Sequence, residues 1–88
     1  MADLLHEYWE GDGGGEFGPV REHNDLVRPT HLKNAQLRFA FRASSWFQAM
    51  QEYNQRLGYG LFQGEGDDHC YTDEERREQD EYLERRDV

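Results

Sequence analysis

Residues 37–57 read LRFAFRASSWFQAMQEYNQRL, and this stretch decides the fold. Leu37, Phe39, Phe41 and Ala43 fall on one side of a period-2 repeat, with Arg38, Ala40 and Arg42 on the other. That pattern predicts a half-buried strand whose solvent face carries two arginines. Ser44 or Ser45 then offers an N-cap. Trp46, Ala49 with Met50, Tyr53 and Leu57 recur at three- and four-residue steps, which predicts an amphipathic helix over about 45–57. Gly58 supplies a left-handed stop, and Tyr59-Gly60-Leu61-Phe62-Gln63 reads as a short return strand.

Upstream, Leu4-Leu5-His6-Glu7-Tyr8-Trp9-Glu10 is aromatic and partly alternating, as a strand is. The glycines between Gly11 and Gly15 read as a flexible loop. Glu16-Phe17-Gly18-Pro19-Val20 then completes a loose hairpin, with Pro19 at a strand end. Residues 21–35 are polar; a helical turn around Pro29 would have Leu26, Val27 and Leu32 as its anchors. Downstream, the 64–69 stretch is a loop. Thr72 and Glu75 form a T-x-x-E capping box that opens a helix near 73–86. The apolar content of that helix is Tyr82 and Leu83 alone, so it either packs lightly or projects into solvent. The expected architecture is α+β. A small antiparallel sheet of 3–4 strands carries the 45–57 helix on one face, with a polar C-terminal helix added. Residues 1–88 form one domain, its core at about 4–63 and its acidic loop and helix at 64–88.

The composition, 35% hydrophobic and 33% charged, lies close to that of chains that stay unfolded. Five Phe, five Tyr and two Trp offset this, because each buries roughly 150–250 Å². Cys70 is the only cysteine, which rules out an internal disulfide framework and fits a reducing cytoplasm. No run of apolar residues is long enough for a transmembrane helix. Asp3 and Glu7 replace the basic start of a secretory leader.

The charge is segmented. Residues 1–20 hold Asp3, Glu7, Glu10, Asp12 and Glu16 with no Lys or Arg. Residues 21–57 are net basic through Arg21, Arg28, Lys33, Arg38, Arg42 and Arg56. Residues 58–88 are again strongly acidic, and the whole chain carries a net charge of −9. Such a balance argues against direct nucleic-acid or anionic-membrane binding. It suits a partner with a basic surface. The stretch from Glu65 to Glu84 is the leading candidate site, with Glu65, Asp67, Asp68, Asp73, Glu74, Glu75, Glu78 and Glu81 as partner-binding residues. Carboxylates repeated along a helix partly imitate nucleic acid, which carries about one charge per 1.7 Å of duplex. The opposing reading is a solvated face that keeps a small protein soluble. Arg38 and Arg42 offer either an anion site or partners for the acidic ends of the chain; the second is expected, and it leaves less acidic surface for a partner.

Other constellations carry less. His6, His23, His31, His69 and Cys70 lack the spacing of metal sites, and the 64–68 loop lacks calcium-loop order. No metal and no cofactor is expected. Gly11–Gly15 has no phosphate-loop lysine, and Ser44 and Ser45 sit in no nucleophile motif, so no catalytic residue is assigned. Tyr8 with Trp9, and Trp46 with Phe47, each place two rings on different sides. At least one ring of each pair is therefore expected at the surface, where aromatics serve as interface anchors.

From Phe39 to Phe62 the pattern F-x-F-R-A-S-S-W-x-x-A-M-x-x-Y-N-x-x-x-G-Y-G-L-F resembles one found in short phage and prophage proteins. In these a strand leads into a helix ending in G-[WY]-G-x-[YF]. The resemblance covers about a quarter of the chain and brings no active site. In size, acidity and lack of catalytic motifs the chain is also similar to small phage anti-CRISPR proteins, several of which block a nucleic-acid groove by displaying carboxylates. That resemblance implies a non-catalytic inhibitor in the bacterial host cytoplasm, bound to the basic nucleic-acid-binding surface of a CRISPR effector complex. The alternative is a small structural or adaptor protein, with a homodimer as one form, that binds a protein partner through exposed aromatics.

Overall fold

The computed structural model describes residues 2–62 and 69–86. β1 (Leu4–Asp12) is the centre of a three-stranded antiparallel sheet, with β2 (Gly14–Pro19) on one side and β3 (Lys33–Ala43) on the other. Three helices complete an α+β fold: α1 (Glu22–His31), α2 (Trp46–Leu57) and α3 (Asp73–Arg85). No helix of the described residues is long and apolar enough to cross a membrane.

The β1–β2 connection is tighter than a flexible glycine loop. Gly11 pairs with Gly14, so the chain reverses through Asp12 and Gly13, with Gly13 at φ +83°, a conformation that favours glycine. Gly15 serves another purpose. A Cβ there would lie 2.7 Å from the Tyr8 hydroxyl, so its absence lets the Tyr8 ring lie flat across β2.

Register sorts the side chains onto two faces. Tyr8 stands opposite both Phe17 and Phe39, and His6 stands opposite Phe41. These rings form one aromatic face, which α2 covers. Phe17 is its hub, stacked on Tyr53 at 4.4 Å and lying 5.7 Å from His6 and Phe41 and 5.8 Å from Trp46. Leu37 departs from the expected face. The register shifts between Tyr8 and Trp9, which brings Leu37 rather than Arg38 opposite Trp9. That β-bulge moves Leu37 to the other side of the sheet, and it is 46% exposed.

α2 matches its predicted span. The Ser45 side chain accepts a hydrogen bond from Gln48 N at 3.1 Å, and Gly58 ends the helix in the left-handed region. No return strand follows at 59–62. Gly60 has φ +83°, and the Gln51 side chain takes both the N–H and the C=O of Phe62. A helix side chain thus satisfies backbone that a neighbouring strand would otherwise pair.

α1 is longer than a single turn. Pro29 sits in its last turn, and Leu32 N closes the end on the Arg28 carbonyl at 2.9 Å. Of its expected anchors Leu32 is buried, but Leu26 is 69% exposed. The residue that pins α1 is Arg28, which is buried. The C-terminal helix is also docked rather than projecting. Beyond Pro19, where β2 stops, the Gln79 amide continues the ladder: its oxygen accepts from Leu5 N at 2.8 Å, and its nitrogen donates to the carbonyls of Leu5 and Val20. Gln79 is only 5% exposed. Three hydrogen bonds to backbone at the sheet end give α3 an anchor that its apolar content does not.

Candidate functional site

α3 begins with the capping box read from sequence. Glu75 N donates to the Thr72 hydroxyl at 3.1 Å, and Thr72 N donates to the Glu75 carboxylate at 3.0 Å. At 3.6 residues per turn, Glu75, Gln79, Tyr82 and Arg86 share one side, while Glu74, Glu78 and Glu81 share the next. The first set faces the body of the protein and the second faces solvent.

Tyr82 and Arg86 of the inward set join a buried charge network beneath the sheet face opposite α2. Arg86 holds Glu7 through two bonds of 2.6 and 2.9 Å and Asp25 through two of 2.8 and 3.1 Å. Asp25 also accepts from the Tyr82 hydroxyl and pairs with Arg28 at 2.8 Å. Arg28 reaches on to Glu16 at 2.9 Å and lies over the Trp9 ring at 4.3 Å, while the Trp9 indole N–H donates to Glu7 at 3.0 Å. The side chains of Glu7, Asp25, Arg28 and Arg86 are each about one-tenth exposed or less. Burial pushes the Asp25 carboxyl up, but hydrogen bonds from Arg86, Tyr82 and Arg28 outweigh it and leave it below the usual carboxylate value. The bond to Glu7, and then that to Asp25, raises Arg86 above an ordinary guanidinium. Burial and the neighbouring Asp25 raise the Tyr82 phenol. Asp25 stays ionised against guanidinium groups that release no proton near neutral pH. The network is a strut between α1, α3 and the sheet, and it offers no acid–base pair.

The outward set is different. Glu74, Glu78 and Glu81 are exposed, as is Asp73 at the helix start, and none of the four makes an ion pair among the described residues. Arg77 interrupts the stripe on its far side. Glu75 does not belong to this display, because it caps Thr72 and pairs with Arg21 at 3.6 Å. Glu65, Asp67 and Asp68 lie outside the described residues. The structure thus places three of the eight sequence-predicted residues, Glu74, Glu78 and Glu81, on one open side of the helix, with Asp73 exposed at its start.

The N-terminal acidic cluster is mostly consumed internally. Asp3 pairs with Arg76 at 2.7 Å and Arg42 at 3.7 Å, and Glu10 with Arg38 at 3.2 Å. Glu7 and Glu16 belong to the strut. Arg38 and Arg42 do pair with acids, but only with those of the N-terminal end, while the outward side of α3 keeps acids without ion pairs among the described residues.

Between α1 and α3 runs a cleft of about 360 Å³, lined by Leu4, Val20 and Tyr82 and rimmed by Glu22, Glu78 and Glu81 among others. Sequence reasoning missed both this cleft and the strut, because their members lie up to 79 residues apart and no local spacing marks them. On the aromatic face, Trp46 is 44% and Phe47 37% exposed, so both rings of that pair reach the surface. Of the other pair, Tyr8 is buried, while Trp9 is partly exposed with Arg28 lying over its ring. Among the described residues no group of three or more His, Cys, Asp or Glu side chains is placed to hold a metal ion. Comparison with protein-family models, with curated sequences and with solved structures found no match.

Proposed function

We propose that the protein is a non-catalytic inhibitor that docks the outward face of α3 onto a basic, nucleic-acid-binding surface of a protein complex. A bacterial CRISPR effector is the class of target, met in the host cytoplasm. The observation that carries this reading is the contrast among the carboxylates. Those near the N-terminus are mostly spent on internal arginines, whereas Asp73, Glu74, Glu78 and Glu81 stand exposed on one helix held rigidly by the buried strut. Rigid display matters because a surface fixed in advance loses little side-chain and backbone freedom on binding. Unpaired negative charge speeds encounter with a Lys- and Arg-lined groove and gives the complex a steep salt dependence. Changing Asp73, Glu74, Glu78 and Glu81 to Asn and Gln should weaken binding progressively; unchanged affinity would sink the reading.

A second reading is an adaptor that binds through exposed rings. Trp46 and Phe47 support it, with Phe62 set edge-on to Phe47 at 5.6 Å and Tyr59 68% exposed nearby. It predicts association that survives high salt and fails on Phe47→Ala.

A further inference from the structure

The cleft between α1 and α3 already holds a guanidinium, and it belongs to the chain itself. Arg85 crosses from α3 to Glu22 of α1 at 2.5 Å, and its guanidinium carbon sits over the Tyr82 ring at 5.0 Å. Both partners line the cleft, as does Arg85. A carboxylate at the end and an aromatic face along the side are the two features that recognise an arginine side chain. Leu4 and Val20 form the buried apolar floor of the cleft, so an arginine stem packs chiefly along the Tyr82 ring. Glu78 and Glu81 add negative charge at the rim and make no ion pair among the described residues. Arg85 is loosely kept, since its side chain is 61% exposed and that of Glu22 52%. An exposed pair of this kind contributes little and yields readily to a competitor.

We infer that this cleft is an acceptor site for an arginine side chain of a protein partner, and that Arg85 is its internal stand-in, displaced on binding. The inference rests on the acidic-surface reading and sharpens it, because it concentrates recognition on Glu22, Tyr82, Glu78 and Glu81 instead of spreading it evenly along α3.

The test is an NMR titration of the full chain with a short arginine-rich peptide, comparing wild type with Arg85→Ala and Arg77→Ala. Both substitutions remove one positive charge from α3, but only Arg85 occupies the cleft. The expected result is shift changes at Val20, Gln79 and Tyr82, with binding tightened roughly two- to fivefold more by Arg85→Ala than by Arg77→Ala. Glu78→Gln with Glu81→Gln should weaken binding more than Asp73→Asn with Glu74→Gln. Equal effects of Arg85→Ala and Arg77→Ala, or shifts confined to Asp73, Glu74 and Arg77, would overturn the cleft and leave the acidic-surface reading standing. No binding of the peptide under low salt to any of the three proteins would overturn both.

Discussion

The two faces of the sheet are held by different physics. On the α2 side, Phe17, Phe39, Phe41, Tyr8, Tyr53 and Trp46 pack ring against ring around His6. On the opposite side, Glu7, Asp25, Arg28 and Arg86 form a chain of buried ion pairs. The apolar burial that drives ring packing is non-directional. Buried charges must be matched atom for atom, and removing one partner leaves another stranded. The difference explains how a chain with so little apolar content in α1 and α3 still places α3 in one position, with its acidic side turned outward.

Breaking the polar face should have the largest effect. Arg86→Met leaves Glu7 and Asp25 buried without their shared cation and should cost about 3–5 kcal/mol in urea unfolding. Loss below 1 kcal/mol would mean that the strut is not what positions α3. On the aromatic face, Phe17→Ala empties the hub of the ring cluster and should cost about 3 kcal/mol, while α3 keeps its contacts; amide exchange in α3 measured beside that in α2 separates the two faces.

A pH series sharpens the comparison further. His6 is fully buried, its Nδ1 bonded to the Leu4 carbonyl and its Nε2 to the Tyr71 hydroxyl, both at 2.9 Å. The carbonyl only accepts, so Nδ1 carries the proton and Nε2 accepts from Tyr71. Burial, chiefly, lowers the His6 pKa from 6.5 to about 4. The native state therefore resists a proton that the unfolded chain takes up below 6.5. Stability is full above that value and falls by about 1.4 kcal/mol per unit down to the native pKa, so about 2 kcal/mol is lost between pH 6.5 and 5. His6→Gln should flatten that slope, and an unchanged slope would place the titrating group elsewhere. Asp25 works in a lower window: its depressed pKa stabilises the fold above the ordinary 3.8 and that contribution is lost as pH falls below it. The smallest effect is expected from Thr72→Ala, which removes the α3 cap and should cost about 1 kcal/mol by thermal or urea unfolding.

What the sequence disclosed divides along the same line. The alternation Phe39-Ala40-Phe41-Arg42-Ala43, the Ser45 cap, the α2 stripe, the Gly58 stop and the Thr72–Glu75 box are local signals, and each is where local chemistry puts it. Leu37 was misplaced because a bulge has no signature in an alternating run. Residues 59–62 form no return strand because only the fold brings Gln51 to the Phe62 backbone; Gln63 lies outside the described residues. The strut was invisible for a stronger reason: Arg86 meets Glu7 and Asp25 across almost the whole chain, and nothing in an acidic sequence tells which of its many carboxylates will be buried. Glu74, Glu78 and Glu81 share one side of α3 because helical spacing is legible in a sequence; which acids stay without an ion pair is decided by tertiary contacts.

The measurement that bears most directly on the central claim is capture from a bacterial lysate, washed in steps of rising salt. Wild type is compared with the quadruple variant Asp73→Asn, Glu74→Gln, Glu78→Gln and Glu81→Gln. The account predicts that wild type retains a nucleic-acid-handling complex at low salt, loses it to high salt or to competing DNA, and that the variant retains none. A partner held equally by both proteins through the high-salt wash would contradict it and assign the binding to the exposed rings of Trp46 and Phe47.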